Sequence, residues 1–194
     1  MLSDVNARQR LEGFALLAGF TLCVPMANWM IGHVGLVCPP DGPCLIPVGF
    51  GLMAPSAVIM AGLALVLRDL VQRRLGLSWS VVAILIGGLL SWFIAPPALV
   101  VASVAAFLFS EFADLAVYTP LQRRGLVRAV VLSSIVGLFV DTVIFLHLAF
   151  GSLDFMWGQI VGKAWMVVLA IPVIACLRRR DQRAELSPRH TSAT

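Results

Sequence analysis

The chain has 194 residues, of which 60% are apolar and only 12% are charged. Its mean hydropathy is +0.96, whereas soluble globular domains carry about 25% charged residues. This composition excludes an ordinary water-soluble domain and indicates an integral membrane protein, whose apolar surface is covered by lipid.

Six apolar runs are long enough to cross a membrane, since a spanning helix needs about 20 mostly apolar residues. In chain order the predicted spans are 13–32, 48–67, 79–95, 97–118, 129–150 and 156–177. The first is interpreted as a span and not as a cleaved signal peptide, because no small-residue cleavage site follows it. The predicted fold class is therefore an all-α integral membrane protein with six transmembrane helices, forming one domain over 1–178. A basic, disordered cytoplasmic tail is expected over 179–194.

Two of the predicted spans have unusual boundaries. The second is the least regular, because Pro47, Gly49, Gly51 and Pro55 lie near its start. The third and fourth are separated only by the Pro-Pro pair at 96–97, which predicts a tight helical hairpin.

The distribution of positive charge predicts the orientation. Thirteen of the 14 basic residues lie before the first predicted helix or after the second, fourth and sixth: Arg8, Arg10, Arg68, Arg73, Arg74, Arg123, Arg124, Arg128, Arg178, Arg179, Arg180, Arg183 and Arg189. The positive-inside rule assigns that side, and hence both termini, to the cytoplasm. The sequence pI of about 9.3 follows from these loops. It indicates contact with anionic lipid head groups and no nucleic-acid partner.

Two cysteines lie in the predicted external loop CPPDGPC, at Cys38 and Cys44. Outside the cytoplasm this pair could form a disulfide, and the sequence leaves open whether it does. A zinc site is disfavoured because only His33 is nearby. No metal and no cofactor is expected.

Lys163 is the one basic residue inside a predicted helix, and Asp141 in the fifth helix lies at a similar depth. A charge at bilayer depth costs several kcal/mol, so both side chains should face the protein interior or a water-filled cavity. Two interpretations stay open. The residues could form an ion pair that only joins two helices, or one of them could contact a ligand or exchange a proton.

Glu111 and Asp114 are three residues apart in the fourth helix and share one face. Both are candidates for substrate binding or coupling. The alternative for Asp114 is a place at the cytoplasmic boundary, paired with Arg123 or Arg128. Asp69 is expected to be a solvated helix end.

The remaining candidates are Asn28, which could equally form a helix–helix hydrogen bond, and two tryptophans. A carboxylate beside aromatic rings suits a flat heterocycle with adjacent N–H donors, because the rings stack on its faces. Trp92 and Trp165 are the preferred rings, since other tryptophans lie near membrane boundaries. HExxH, GxSxG and Walker motifs are lacking, which argues against an enzyme. The complete candidate set is Asn28, Trp92, Glu111, Asp114, Asp141, Lys163 and Trp165.

Three segments carry a family resemblance: ASVAAFLFSEFADLAVYTPLQRRG, RAVVLSSIVGLFVDTVIFLHLAFG and GKAWMVVLAIP, the last containing Lys163. With RDLVQRRLG after the second helix and Asn28 late in the first, they resemble the queuosine-precursor transporter family, also called the VUT or vitamin-uptake transporter family, over most of residues 25–178. The resemblance implies import of 7-cyano-7-deazaguanine or a related 7-deazaguanine across the bacterial inner membrane.

Several alternatives stay open beside this resemblance. The chain could be the substrate-binding subunit of an energy-coupling-factor vitamin transporter, with an ATPase module as partner. It could import another purine-like or vitamin-like heterocycle, it could form a homodimer, and its transport could be proton-coupled or facilitative.

Overall fold

The structure, a computed structural model, describes residues 2–40 and 42–183. Over these residues it contains six helices and one small sheet. The helices are α1 Leu2–His33, α2 Val58–Leu75, α3 Leu77–Ile94, α4 Val100–Leu121, α5 Leu126–Phe150 and α6 Met156–Arg183. The strands β1 Leu45–Gly49 and β2 Leu52–Pro55 pair antiparallel.

Five helices are long and apolar enough to cross a membrane. They comprise Ala7–His33 within α1, Leu77–Ile94, Val100–Leu121, Leu126–Phe150, and Met156–Gln182 within α6. The chain is therefore a mostly helical, multi-pass membrane protein.

The predicted second span, 48–67, is wrong in its position along the chain, and the first part of it is not helical. Residues 45–55 form the β-hairpin, and α2 begins at Val58, so the description as all-α does not hold for this segment. The cause is the turn at 49–51, where Gly49, Phe50 and Gly51 all have positive φ angles. That left-handed backbone suits a hairpin tip and is incompatible with a helix.

α2 is also more polar than predicted, because Arg68, Asp69, Arg73 and Arg74 lie within it and not after it. Its 18 residues span roughly 27 Å, close to the thickness of the hydrocarbon core. α2 contacts each of the other five helices. A helix enclosed by protein does not need an apolar surface, which explains why it lacks the composition of a spanning segment.

The chain reverses direction between successive helices, so the bundle has two ends. The hairpin end contains the β-hairpin, the C-terminus of α1 and the N-terminus of α2. The arginine end contains the C-termini of α2, α4 and α6. Near this end an apolar core joins α2, α4, α5 and α6 around the fully buried Tyr118 and Ile174.

At the hairpin end, a disulfide joins Cys38 to Cys44. Two hydrogen bonds tie the loop to α1: Cys44 N–H donates to Ile31 O at 2.8 Å, and Ser56 Oγ donates to Met30 O at 2.7 Å. The hairpin is therefore fixed to the last turn of α1.

At the other terminus, α6 continues to Arg183, so the first five residues of the expected tail, 179–183, are helical. The rest of that predicted segment, 184–194, lies outside the described residues.

Candidate functional site

A cavity lies in the half of the bundle nearer the hairpin end, with about 650 Å³ of empty space including its mouth. Residues of all six helices line it, together with Pro55 of the hairpin and Ala57, which directly precedes α2. Three candidates predicted from the sequence, Asn28, Asp141 and Lys163, are among them.

The charged feature of the cavity is the ion pair between Lys163 Nζ and Asp141 Oδ2, at 2.5 Å. Lys163 also donates to Gln159 Oε1 at 2.5 Å and to Thr142 Oγ1 at 2.8 Å. An ammonium group has three N–H donors, so these three partners use all of them. Lys163 is 1% exposed, whereas the Asp141 side chain is 18% exposed. Asp141 is therefore the member of the pair that is open to the cavity.

A close helix crossing positions Lys163. A Cβ atom added at Gly62 of α2 would lie 2.7 Å from the carbonyl oxygen of Lys163, which is closer than such atoms approach. The absence of a side chain at Gly62 thus lets α6 pack directly on α2. On the same helix, Trp165 Nε1–H donates to Val48 O of the hairpin at 2.8 Å.

The rest of the wall combines apolar rings with small polar groups. Phe107 and Phe145 supply the rings, while Ser91 and Ser103 supply hydroxyl groups. Asn28 donates through Nδ2 to Val24 O of its own helix at 2.9 Å.

The two candidate tryptophans lie outside the cavity lining. Trp92 is 56% exposed and Trp165 is 46% exposed, so their rings face the surroundings of the bundle. Among the described residues, the only internal polar contact of these two rings is the bond from the indole N–H of Trp165 to Val48 O.

Glu111 and Asp114 lie in a buried group that we call the acid cluster: Arg68, Asp69, Glu111 and Asp114. Arg68 Nε donates to Glu111 Oε2 at 3.2 Å, and Arg68 Nη2 lies 2.9 Å from Asp69 Oδ1 and also contacts Asp114 Oδ1. All four side chains are at most 2% exposed.

The structure contradicts one alternative and one expectation for these residues. Asp114 pairs with Arg68, while Arg123 and Arg128 are exposed. Asp69 is a fully buried residue and not a solvated helix end. The reason is that α2 begins ten residues and ends eight residues later than predicted, which places Arg68 and Asp69 inside the bundle and not at a helix end.

The acid cluster lies one helical turn below the cavity, on the side of the arginine end. On each of three helices, a residue that lines the cavity is followed or preceded, four positions away, by a residue that belongs to the acid cluster or contacts it. Four positions correspond to about 6 Å along the helix axis. The pairs are Ala64 and Arg68 on α2, Phe107 and Glu111 on α4, and Asp141 and Gly137 on α5.

A second ionic group closes the arginine end. Asp181 of α6 is 2% exposed and accepts from Arg73 at 2.6 Å and from Arg74 at 2.9 Å, both on α2. Glu12 of α1 contacts Arg74 at 3.3 Å and Arg180 at 2.5 Å. Sequence reasoning did not find this group, because pairs separated by more than 60 positions leave no local pattern.

Comparison with known proteins agrees with this architecture. Residues 45–177, about two thirds of the chain, match the family model described as "Putative vitamin uptake transporter". No curated protein and no solved structure matches the chain. The matched region runs from β1 through most of α6, and so contains the hairpin, the acid cluster and the Asp141–Lys163 pair. The chain belongs to this family of membrane transporters, which take up small molecules through a lipid bilayer and are not enzymes.

Proposed function

We propose that this transporter imports a queuosine precursor, 7-cyano-7-deazaguanine or a related 7-deazaguanine, across the bacterial inner membrane. The observation that carries the proposal is the cavity in which a carboxylate, Asp141, is held by a lysine that has no donor left for a ligand. The carboxylate is thus fixed in place and available to the substrate.

The chemistry of this wall suits a guanine-like edge. Oδ1 of Asp141 makes no hydrogen bond to any residue that the structure describes, while Oδ2 is engaged by Lys163. A 7-deazaguanine presents a ring N–H and an amino group side by side, and a carboxylate accepts such adjacent donors. Gln159 uses its oxygen for Lys163, so its amide N–H groups can donate to the substrate carbonyl.

The rings of Phe107 and Phe145 provide apolar surfaces for a flat heterocycle. We assign the acceptor role to Asp141 and not to Glu111, because the Glu111 carboxylate is engaged with Arg68 one turn below the cavity. Glu111 and Asp114 are proposed as coupling residues, and Asn28 as a polar wall residue.

The proposed orientation agrees with import. The exposed arginines between α4 and α5 lie at the arginine end, so the positive-inside rule puts this end and both termini in the cytoplasm. The cavity is then nearer the periplasm, from which the substrate arrives. The Cys38–Cys44 disulfide would face the oxidising compartment, where such bonds persist.

Genetic rescue tests the proposal. The gene is placed in a bacterium that can neither make nor import the precursor, and its tRNA is assayed for queuosine after growth with 7-cyano-7-deazaguanine. The native protein should restore the modified base. Asp141→Asn and Lys163→Ala should not, after rescue is normalised to the amount of each protein in the membrane on immunoblots.

Asp154→Asn is the matched control, because Asp154 is an exposed loop residue whose carboxylate contacts only Ser152 among the described side chains. It should rescue fully. Normal rescue by the Asp141 and Lys163 variants would refute the proposed site, and failure of the native protein to rescue would refute the substrate.

The other transport functions are separable by two measurements. Co-purification of an ATPase would identify an energy-coupling-factor subunit. If rescue fails, binding of the purified protein to purines, pterins and vitamins identifies a different heterocycle. The mass of the purified protein in detergent decides between monomer and homodimer.

A further inference from the structure

The acid cluster contains more negative charge than its one guanidinium can balance. Asp69, Glu111 and Asp114 contribute three carboxylates, and Arg68 contributes one positive charge. Fully ionised, the cluster would hold an excess of two negative charges in a place with no access to solvent. Buried charges in proteins are normally paired, so the imbalance requires a further positive species.

The contacts locate the imbalance on two of the three carboxylates. Glu111 has its own N–H donor, Nε of Arg68. Asp69 and Asp114 both contact a single atom, Nη2 of Arg68. Two carboxyl oxygens that contact the same nitrogen are less than about 6 Å apart, and like charges at that separation oppose each other's ionisation.

Unused acceptor atoms point to the same pair. Asp69 Oδ1 and Asp114 Oδ2 are buried, and in the described part of the chain neither receives a well-directed hydrogen bond, although Asp69 Oδ1 lies 2.9 Å from Arg68 Nη2. The only hydroxyl that donates to the pair there is Ser133 Oγ, to Asp69 Oδ2 at 2.8 Å. The Tyr118 hydroxyl, which is on the same helix as Asp114, is also buried and has no hydrogen-bond partner among the described residues. A proton on one aspartate would create a donor within the pair for the other aspartate.

We propose that Asp69 and Asp114, held by Arg68, form a proton-binding site that couples substrate import to the proton gradient. This rests on the proposed transport function. In the loaded state one proton forms an O–H bond with a carboxylate oxygen of the pair and is shared with the other aspartate. In the unloaded state it has left for the cytoplasmic side, and both carboxylates are ionised.

The placement of the pair supports coupling. Asp114 packs against Gly137, where an added Cβ would lie 3.1 Å from its Oδ2, and Gly137 is one turn from Asp141 in the cavity. A change of charge at the pair therefore acts one turn below the proposed substrate-binding carboxylate. The charged and titratable groups that face the pair from the neighbouring helices are Arg68, Glu111 and Tyr118. Farther out, Asp141 and Cys23 face Glu111, and Arg73 faces Tyr118.

The first experiment needs no substrate. Infrared difference spectra of the full-length protein in lipid bilayers, recorded in H₂O and D₂O, should show the C=O band of a buried protonated carboxyl group. We expect Asp69→Asn and Asp114→Asn each to remove or shift this band, and the exposed control Asp154→Asn to leave it unchanged. Loss of the band in Glu111→Gln with retention in both aspartate variants would overturn the assignment, as would absence of the band in the native protein.

The second experiment measures flux in proteoliposomes with labelled 7-cyano-7-deazaguanine as the probe. The native protein should accumulate it at least tenfold when the outside is acidic, and a protonophore should abolish the accumulation. Asp69→Asn and Asp114→Asn should lose accumulation yet retain exchange of labelled for unlabelled probe. Accumulation that follows a sodium gradient instead, or that survives the protonophore, would overturn proton coupling.

The two proposals can fail separately. A protonated-carboxyl band that depends on Asp69, combined with no flux of any 7-deazaguanine, would refute the proposed substrate and leave the proton site in place. Flux that ignores the proton gradient would refute the proton site and leave the substrate in place. If both aspartate variants misfold, the native protein's protonophore sensitivity and carboxyl band still decide the question.

Discussion

Replacing Lys163 by methionine tests whether the buried ion pair serves substrate binding or only joins α5 to α6. Methionine keeps the length and apolar stem of the side chain and removes the ammonium group. Asp141, Gln159 and Thr142 then lose a common donor. Removing one member of a buried ion pair costs about 3–5 kcal/mol, because the other charge stays buried without a partner.

The exposure of Asp141 fixes where in that range the cost should fall. Its side chain is 18% exposed to the cavity, so water can partly solvate the stranded carboxylate, and we expect about 3 kcal/mol. For a protein of this length such a loss lowers Tm by roughly 6–12 °C. The double variant with Asp141→Asn has no stranded charge, and it should recover most of the lost stability because neutral replacement of both partners is often nearly neutral.

Substrate binding should behave differently from stability. Titration of the purified proteins with 7-cyano-7-deazaguanine in a calorimeter should give binding at least tenfold weaker in the double variant, since a hydrogen bond to a charged group contributes about 1.5–3 kcal/mol. A double variant that regains both stability and native affinity would show that the ion pair is purely structural. That result would contradict the reasoning that assigns Asp141 to the substrate.

Three further changes give distinct expectations. Gly62→Ala should weaken probe binding and cost about 1–3 kcal/mol of stability, because the added methyl group collides with the backbone of α6 at Lys163. The same calorimetric and thermal assays measure both effects, and native values in both assays would refute the close crossing. Asp181→Asn should lower Tm by several degrees, because the two arginines of α2 lose their shared partner. For the same reason, a cysteine placed at the arginine end should be alkylated faster in this variant. An unchanged rate of alkylation would mean that this ionic group does not close the bundle. Trp92→Ala should leave uptake within about twofold of the native rate, since its ring is 56% exposed and outside the cavity lining; a large loss of uptake with normal membrane levels would return Trp92 to the site.

Hydrophobic pattern predicted the later helices well and failed at the second. The spans expected at 129–150 and 156–177 begin and end within about six residues of α5 and α6. The prediction for segment 48–67 fails because the hairpin is itself apolar: it packs on α6, where a Cβ atom added at Gly162 would lie 3.1 Å from Val48 Cγ1. Composition alone cannot distinguish apolar surface covered by lipid from apolar surface covered by protein.

The same limit explains which site residues were predictable. The depths of Asp141 and Lys163 along two apolar helices were enough to predict their pairing, because each helix was placed correctly. The shared face of Glu111 and Asp114 was also evident from their spacing. Their partner, Arg68, is not evident from the sequence, because α2 ends eight residues later than predicted and the prediction therefore places this arginine in a loop. The bond of Trp165 to the hairpin was not predictable either, because a helical pattern holds no information about contacts with a distant strand.

Import through this bundle requires the arginine end to open, and the positions of the charges indicate which helix must move. α2 carries Arg68 of the acid cluster, and Arg73 and Arg74, which hold α6 through Asp181. Any displacement of α2 relative to α4 and α6 therefore disturbs both ionic groups at once. Two like charges 4 Å apart repel by about 4 kcal/mol at an effective dielectric constant of 20. Protonation of the Asp69–Asp114 pair would remove this repulsion between α2 and α4. The energy is comparable to a typical allosteric coupling energy or larger. A proton bound there would thus act on the one helix that lines the cavity, contains the proposed coupling site and closes the opposite end.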